Sequence, residues 1–265
     1  MGKGKSSNRL DLLLVERGLT ESRAKAQAVI MAGLVTVDGV KVEKAGAAVP
    51  LAAVVELKGP DHPYVSRGGV KLAGALDHFG VDPTGLVCLD VGASTGGFTD
   101  CLLQRGARLV YALDVGTNQL HYKLRCDPRV KVFEQTHIKD IGGLNLEPPP
   151  SIVVVDVSFI SLKLVLPHLF PFLHGGAALL AMVKPQFEAG RELVGKGGVI
   201  QDEEVRAAVC AQIAAFLIEH GFSPEATFPA SITGPKGNQE YFVYVPGRPE
   251  TAAGPADPTP NEVES

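Results

Sequence analysis

Leu89-Asp90-Val91-Gly92-Ala93-Ser94-Thr95-Gly96-Gly97-Phe98-Thr99 is the stretch on which the reading of this 265-residue chain turns. An apolar run ends in an acid, and a loop of small residues follows before a segment of helical character. In that order a buried strand delivers a loop whose backbone a ligand can approach closely. The next helix then aims its N-terminus at the ligand. One strand–helix–strand unit later, the segment 108–114 ends in Asp114, where an acid can accept hydrogen bonds from ribose hydroxyls.

Glycine spacing separates the candidate cofactors. Dinucleotide sites use G-x-G-x-x-G so that a pyrophosphate can rest on the helix N-terminus. Here the pattern is Gly92-x-x-x-Gly96-Gly97, preceded by Asp90 and carrying Ser at position 94. S-adenosyl-L-methionine brings an amino acid moiety and a ribose but no pyrophosphate. Asp90 suits its ammonium group and Asp114 its ribose. A merely tight turn is the competing explanation, and the combination of acid, loop and second acid favours the methyl donor.

Outward from the loop, apolar strands are expected at 86–91, 108–114, 131–133, 152–157 and 177–183. Helices are expected at 69–79, 98–105 and 202–220. The runs 152–155 and 177–183 are almost continuously apolar, as a parallel sheet buried on both faces requires. The fold class is therefore α/β, Rossmann-like, with a mostly parallel doubly wound sheet. A small α+β unit precedes it. Leu10, Leu13 and Leu14 recur at helical spacing up to Gly18, and Thr20 is the expected cap of a second helix over 21–32. Asp38-Gly39 between two β-rich runs marks a hairpin, and a further strand is expected at 53–57. The division expected is 1–60 for this unit, 61–68 for a linker, 69–246 for the sheet domain and 247–265 for a disordered tail.

A net charge of −4 hides an uneven distribution. Residues 1–60 carry nine Lys or Arg against six Asp or Glu, a local balance of +3, which leaves −7 on the remaining 205. An anionic partner would dock at the basic end. The four cysteines (Cys88, Cys101, Cys126, Cys210) form no C-x-x-C pair and read as reduced thiols, neither a disulfide framework nor a metal site. The first eight residues lack the apolar stretch of a signal peptide. The longest apolar region, 152–173, is broken by Asp156, Lys163 and two prolines, whereas a membrane span needs roughly 20 nearly uninterrupted apolar residues. The expectation is a cytoplasmic protein with no membrane partner and no metal, a monomer or weak dimer.

Three charged residues stand at the ends of apolar runs: Asp156 after 152–155, Lys184 after 177–183, and Glu240 before Tyr241-Phe242-Val243. In open α/β sheets the ligand crevice lies outside the carboxyl ends of the strands, so Asp156 and Lys184 should face it. A structural ion pair at a sheet end is the alternative for any one of them.

Two further patterns carry a resemblance. Arg9-Leu10-Asp11 with Gly18 and Ser22-Arg23-Ala24-Lys25-Ala26 resembles the S4-type RNA-binding domain. Ser66-Arg67-Gly68-Gly69-Val70-Lys71-Leu72, the loop from Asp90 to Thr99, and Val183-Lys184-Pro185-Gln186-Phe187-Glu188 resemble the TlyA family. Its members are bacterial ribosomal RNA 2′-O-methyltransferases, historically also called hemolysins. The resemblance runs from about residue 9 to residue 245. It implies an FtsJ-like class I methyltransferase domain with a Lys-Asp-Lys-Glu tetrad, which by motif falls on Lys71, Asp156, Lys184 and Glu240. It places the cofactor loop on Gly92, Ala93, Ser94, Gly96, Gly97 and Phe98, and the ribose acid on Asp114. The partner implied is ribosomal RNA or a ribosomal subunit.

A ribose 2′-hydroxyl must lose its proton as it attacks a methyl group. Burial and a neighbouring cation favour a neutral lysine amine, and carboxylates favour the ammonium. Lys184 is therefore expected nearest the 2′-oxygen, either accepting the proton or stabilising the developing alkoxide, with Asp156 orienting it. Lys71 and Glu240 are expected to position the ribose. Arg9, Arg23, Lys25 and Lys41 make up the expected RNA face, through phosphate contacts that position without reading sequence. Tyr64 and Arg67 in the linker either meet RNA or pack the two domains together. The Gly-rich segment 184–198 is either a closing loop or simply an exposed one. Competing functions are a membrane-active hemolysin and an RNA-binding assembly factor without catalysis. Base methylation would call for a Cys nucleophile or an Asn-Pro-Pro-Tyr-like motif, and neither is apparent.

Overall fold

A computed structural model of the chain describes residues 7–57, 62–234 and 236–247. They fall into two units, Met1–Pro63 and Tyr64–Ser265. Most of the expected tail (248–265) and residue 61 of the expected linker lie outside the described residues.

In the first unit, β1 (Ser7–Arg9) leads into helix α1 (Leu10–Glu16), and α2 (Arg23–Met31) follows. Gly18 takes a φ of 68° just past α1 and lets Leu19 N–H reach back to the Leu14 carbonyl. The cap of α2 is Ser22, whose hydroxyl accepts from Lys25 N–H, and not Thr20. The helix therefore starts at Arg23, two residues later than expected. Strands β2 (Val35–Val37) and β3 (Val40–Lys41) form the hairpin, with Asp38 and Gly39 at φ 49° and 80°. These are the two left-handed positions of a type I′ turn. β4 (Ala48–Pro50) pairs with β1, an association no periodicity announced, and β5 (Val55–Leu57) completes the β3-β2-β5 sheet. Leu10, Leu14, Ala26, Ile30 and Val35 fill the core beneath.

The second unit opens with α3 (Gly68–Phe79), then alternates β6 (Val87–Val91), α4 (Gly97–Gln104), β7 (Leu109–Leu113), α5 (Tyr122–Arg125) and β8 (Val130–Phe133). β9 (Ile152–Val155), α6 (Leu162–Val165), α7 (Phe170–His174), β10 (Ala178–Val183) and α8 (Pro185–Glu188) follow. Among the described residues the last elements are α9 (Glu203–Glu219), β11 (Phe228–Pro229) and β12 (Tyr241–Val245). The seven-stranded sheet runs β11-β12-β10-β9-β6-β7-β8, parallel from β10 to β8 and antiparallel at β12 and β11.

Alternation along each strand explains the runs of apolar residues. Val153 and Val155 of β9, with Leu179, Ala181 and Val183 of β10, enter a core completed by α6, α7 and α9. Ile152 and Val154, with Ala178, Leu180 and Met182, enter the opposite core with residues of α3, α4 and α5. Every residue of β9 and β10 is thus buried on one face or the other. Each fully buried Val or Leu contributes about 1.5–3 kcal/mol. Tyr64 and Val65, read as linker, pack into this second core, and Val65 N–H donates to Asp100.

Candidate active site

β6 delivers Asp90 in a fully buried position and then turns. Gly92, Ser94 and Gly96 take φ values of 84°, 47° and 97° before α4 begins at Gly97. A Cβ on Gly92 would lie 2.5 Å from the Asp156 carbonyl oxygen. The glycine is therefore needed for both its backbone conformation and its approach to the end of β9. A Cβ on Gly97 would collide with Ser66 Oγ and Gly69 N. The sequence reading assigned these glycines to ligand access; the contacts show that they first let the protein's own backbones close around the turn.

Asp90 Oδ2 accepts from Thr99 N–H at 2.9 Å and from Thr99 Oγ1 at 2.6 Å, which ties strand to helix. Its Oδ1 is buried without a hydrogen-bond partner among the described residues. Burial pushes this carboxyl up to about 7, the Thr99 bonds oppose that rise, and nearby Asp156 and Asp114 add to it. Asp114, just beyond β7, accepts from Ser94 N–H at 2.8 Å on Oδ2 and from Gly116 N–H at 2.7 Å on Oδ1. Ala93 and Phe98 are buried in the core, the Phe98 ring stacking on Phe242 with 6.0 Å between centroids.

The tetrad forms two ion pairs. Lys71 Nζ of α3 lies 2.5 Å from Glu240 Oε2, both side chains almost wholly buried. Lys184 Nζ lies 2.5 Å from Asp156 Oδ1, a charge contact without hydrogen-bond alignment. The aligned acceptor of Lys184 is Ser158 Oγ, at 2.9 Å. Register explains the grouping. β10 runs parallel to β9 and antiparallel to β12, with Val183 opposite Tyr241. Asp156 and Lys184 therefore leave the carboxyl ends of neighbouring strands where Glu240 enters β12. Asp156 N–H also donates to the Val91 carbonyl, placing this edge against the glycine turn. A buried pair holds its charges only because each is met by the other.

Several participants went unread in the sequence. Ser158, two residues past Asp156, needed the loop's path to be known. Phe159 beside it has a φ of 64°, is 89% exposed and packs on Phe187 at 4.9 Å. In the first unit, Arg9 and Arg23 converge on buried Asp11, which also accepts from Gln27. The hydrogen bond from Arg9 acts first and holds this carboxyl well below the usual range, against burial. Both guanidiniums stay about half exposed. Lys25 is exposed, and Lys41 pairs with Glu43 at 2.7 Å. Tyr64 packs over Gly69, and Arg67 donates to the Thr233 carbonyl at 2.9 Å.

Residues 8–55 match the S4 domain and residues 64–245 the FtsJ-like methyltransferase family. Fold and site together define a methyltransferase joined to an S4 domain. A protein named hemolysin A from Brachyspira hyodysenteriae is 44% identical over 237 residues, 89% of this chain and 98% of that protein. One named 16S/23S rRNA (cytidine-2'-O)-methyltransferase TlyA, from Mycobacterium tuberculosis (strain ATCC 25618 / H37Rv), is 42% identical over 238 residues, 89% of each chain. A solved structure bearing the hemolysin name, from Streptococcus thermophilus, has a TM-score of 0.70 at 41% identity, covering 92% of this chain and 90% of that one. The chain belongs to the TlyA family of methyltransferases. Hemolysin and methyltransferase names fall on the same family, and no helix among the described residues is long and apolar enough to cross a membrane.

Proposed function

We propose that this chain methylates ribose 2′-hydroxyls of ribosomal RNA with S-adenosyl-L-methionine as donor, acting in the cytoplasm as a monomer or weak dimer. The observation that carries the reading is the pair of lysine–carboxylate contacts, Lys71–Glu240 and Lys184–Asp156, set beside the glycine turn. A hydroxyl nucleophile needs a fixed cation or base where its negative charge develops.

When bound, S-adenosyl-L-methionine supplies an activated methyl group on a sulfonium. The residues present fit it. The unpartnered Oδ1 of Asp90 is an acceptor that an ammonium would satisfy. Each oxygen of Asp114 already takes one backbone N–H and retains a lone pair for a ribose hydroxyl. The backbone of Gly92, Ala93, Ser94, Gly96, Gly97 and Phe98 supplies the turn between these two acids.

On the acceptor side, Lys184 meets the 2′-oxygen, and Asp156 and Ser158 fix the position of its Nζ. Lys71 and Glu240 hold the ribose so that the hydroxyl stands in line with the methyl group. Exposed Phe159 offers an aromatic face of the kind on which an unstacked base rests. The S4 domain and the names of the relatives support an RNA substrate. Arg9, Arg23, Lys25 and Lys41 contact phosphates, with Tyr64 and Arg67 as further candidates already engaged within the second unit.

Lys184→Ala tests the reading. Methyl transfer from labelled donor to ribosomal RNA is expected to fall at least about 100-fold. Binding of donor and RNA, followed by calorimetry and filter retention, is expected to stay near wild type. Turnover at the wild-type rate in this variant would overturn the role assigned to Lys184.

A further inference from the structure

We infer that Glu134 is a positioning residue that holds the ribose-side wall of the methyl-donor site, an inference that rests on the cofactor reading above. That wall is the segment 115–121 between Asp114 and α5, which has no helix or strand of its own. It closes against the glycine turn at several points. His121 N–H donates to the Thr95 carbonyl at 3.1 Å, and Ser94 Oγ donates to Gln119 Oε1 at 3.3 Å. Gly116 N–H binds Asp114, and a Cβ on Gly96 would strike Leu120 and Leu124. The position of Asp114, and of the turn it grips through Ser94 N–H, therefore depends on where 115–121 sits.

Glu134, immediately beyond β8, holds that segment. Its Oε2 accepts from Asn118 N–H at 2.8 Å, and its Oε1 from Gln119 N–H at 3.0 Å and Leu120 N–H at 3.3 Å. Arg125 of α5 donates to the same Oε1 at 2.6 Å. Three consecutive backbone N–H groups converging on one carboxylate form an anion nest built from the protein's own side chain. Asn118 takes a φ of 54° to make it. Burial pushes the Glu134 carboxyl up, but Arg125 and the three N–H groups prevail and hold it at about 2. Gln135 adds support, its N–H donating to the Gly116 carbonyl and its amide to Thr117 Oγ1. The mechanism above uses none of these groups.

A glutamine at 134 keeps the size of the side chain but removes the charge, and it turns an NH2 toward N–H donors that can no longer be met. The segment is then free to leave the turn, which weakens donor binding without touching the groups that act on the 2′-hydroxyl.

The test is calorimetric titration of the full chain with S-adenosylmethionine and S-adenosylhomocysteine. Glu134→Gln is expected to raise Kd for both by about tenfold, a change of about 1.4 kcal/mol. In steady-state assays on ribosomal RNA, KM for the donor should rise similarly, while kcat at saturating donor and KM for RNA stay at wild-type values. A merely structural lesion would lower kcat and donor affinity together. Arg125→Gln removes the guanidinium and leaves the nest, so a smaller rise in Kd is expected; it decides the matter if Glu134→Gln does not fold. Wild-type donor affinity in the folded Glu134→Gln chain, or in Arg125→Gln where that variant decides, would overturn the inference. If wild-type protein bound neither ligand, the cofactor reading itself would fail.

Discussion

Asp90 is wholly buried near the end of β6, and that burial sets a measurable pH dependence. Its carboxyl is raised to about 7 in the folded chain, chiefly by burial, so the folded state holds this proton more tightly than the unfolded state. The stability it contributes is full below the ordinary carboxylate pKa and is lost as pH rises toward 7. Asp90→Asn keeps an acceptor for Thr99 and removes the titration. The difference in thermal midpoint between Asp90→Asn and wild type should grow in favour of the variant from about pH 4 to about pH 7. A constant difference would contradict the assigned environment. That an acid stands beside the turn was legible in the sequence; that Thr99, nine residues on, takes one of its oxygens was not. Hydrogen bonding of that kind is settled by how helix packs on strand, which no spacing encodes. Arg9 and Arg23 teach the same lesson: both were read as RNA contacts, and both also neutralise buried Asp11.

The strand–turn–helix unit was the most legible element, since a buried strand, small residues and a helix start each leave a separate mark. Its glycines still carried more than the sequence disclosed. Gly92 is left-handed and lies against the Asp156 carbonyl. Gly92→Ala should cost at least about 1–3 kcal/mol from the backbone conformation alone, measurable by denaturant unfolding. Because a Cβ there would press on the residue that pairs with Lys184, methyl transfer should fall more than donor binding does. An unchanged unfolding midpoint would refute this reading of the turn. Boundaries were less legible. Thr20 and Ser22 are both competent caps, and only the path of the chain after Gly18 selects Ser22. The β1–β4 pairing joins segments about forty residues apart, and three-residue strands leave no periodicity to find.

Across the whole molecule, an S4 domain is joined to an FtsJ-like methyltransferase domain, and residues 1–60 carry a local charge balance of +3. The α/β class followed from apolar runs long enough to need cover on both faces, and the two cores on opposite sides of the sheet meet that need. Position along the chain marked three of the tetrad, Asp156, Lys184 and Glu240, and only the family resemblance added Lys71. Lys71 and Glu240 are 169 residues apart, and their contact needs α3 packed on the sheet face that carries Phe242 of β12. Glu134 was not legible at all, since its role lies in backbone groups that carry no sequence signature. The acceptor proposed for the methyl group is a ribose oxygen. The most direct measurement is to incubate the full chain with ribosomal RNA and labelled S-adenosylmethionine, then digest the product to nucleosides and locate the label. Label is expected on 2′-O-methylated ribose, in linkages that resist alkaline hydrolysis; label on a base, or none on RNA, would contradict a ribose acceptor.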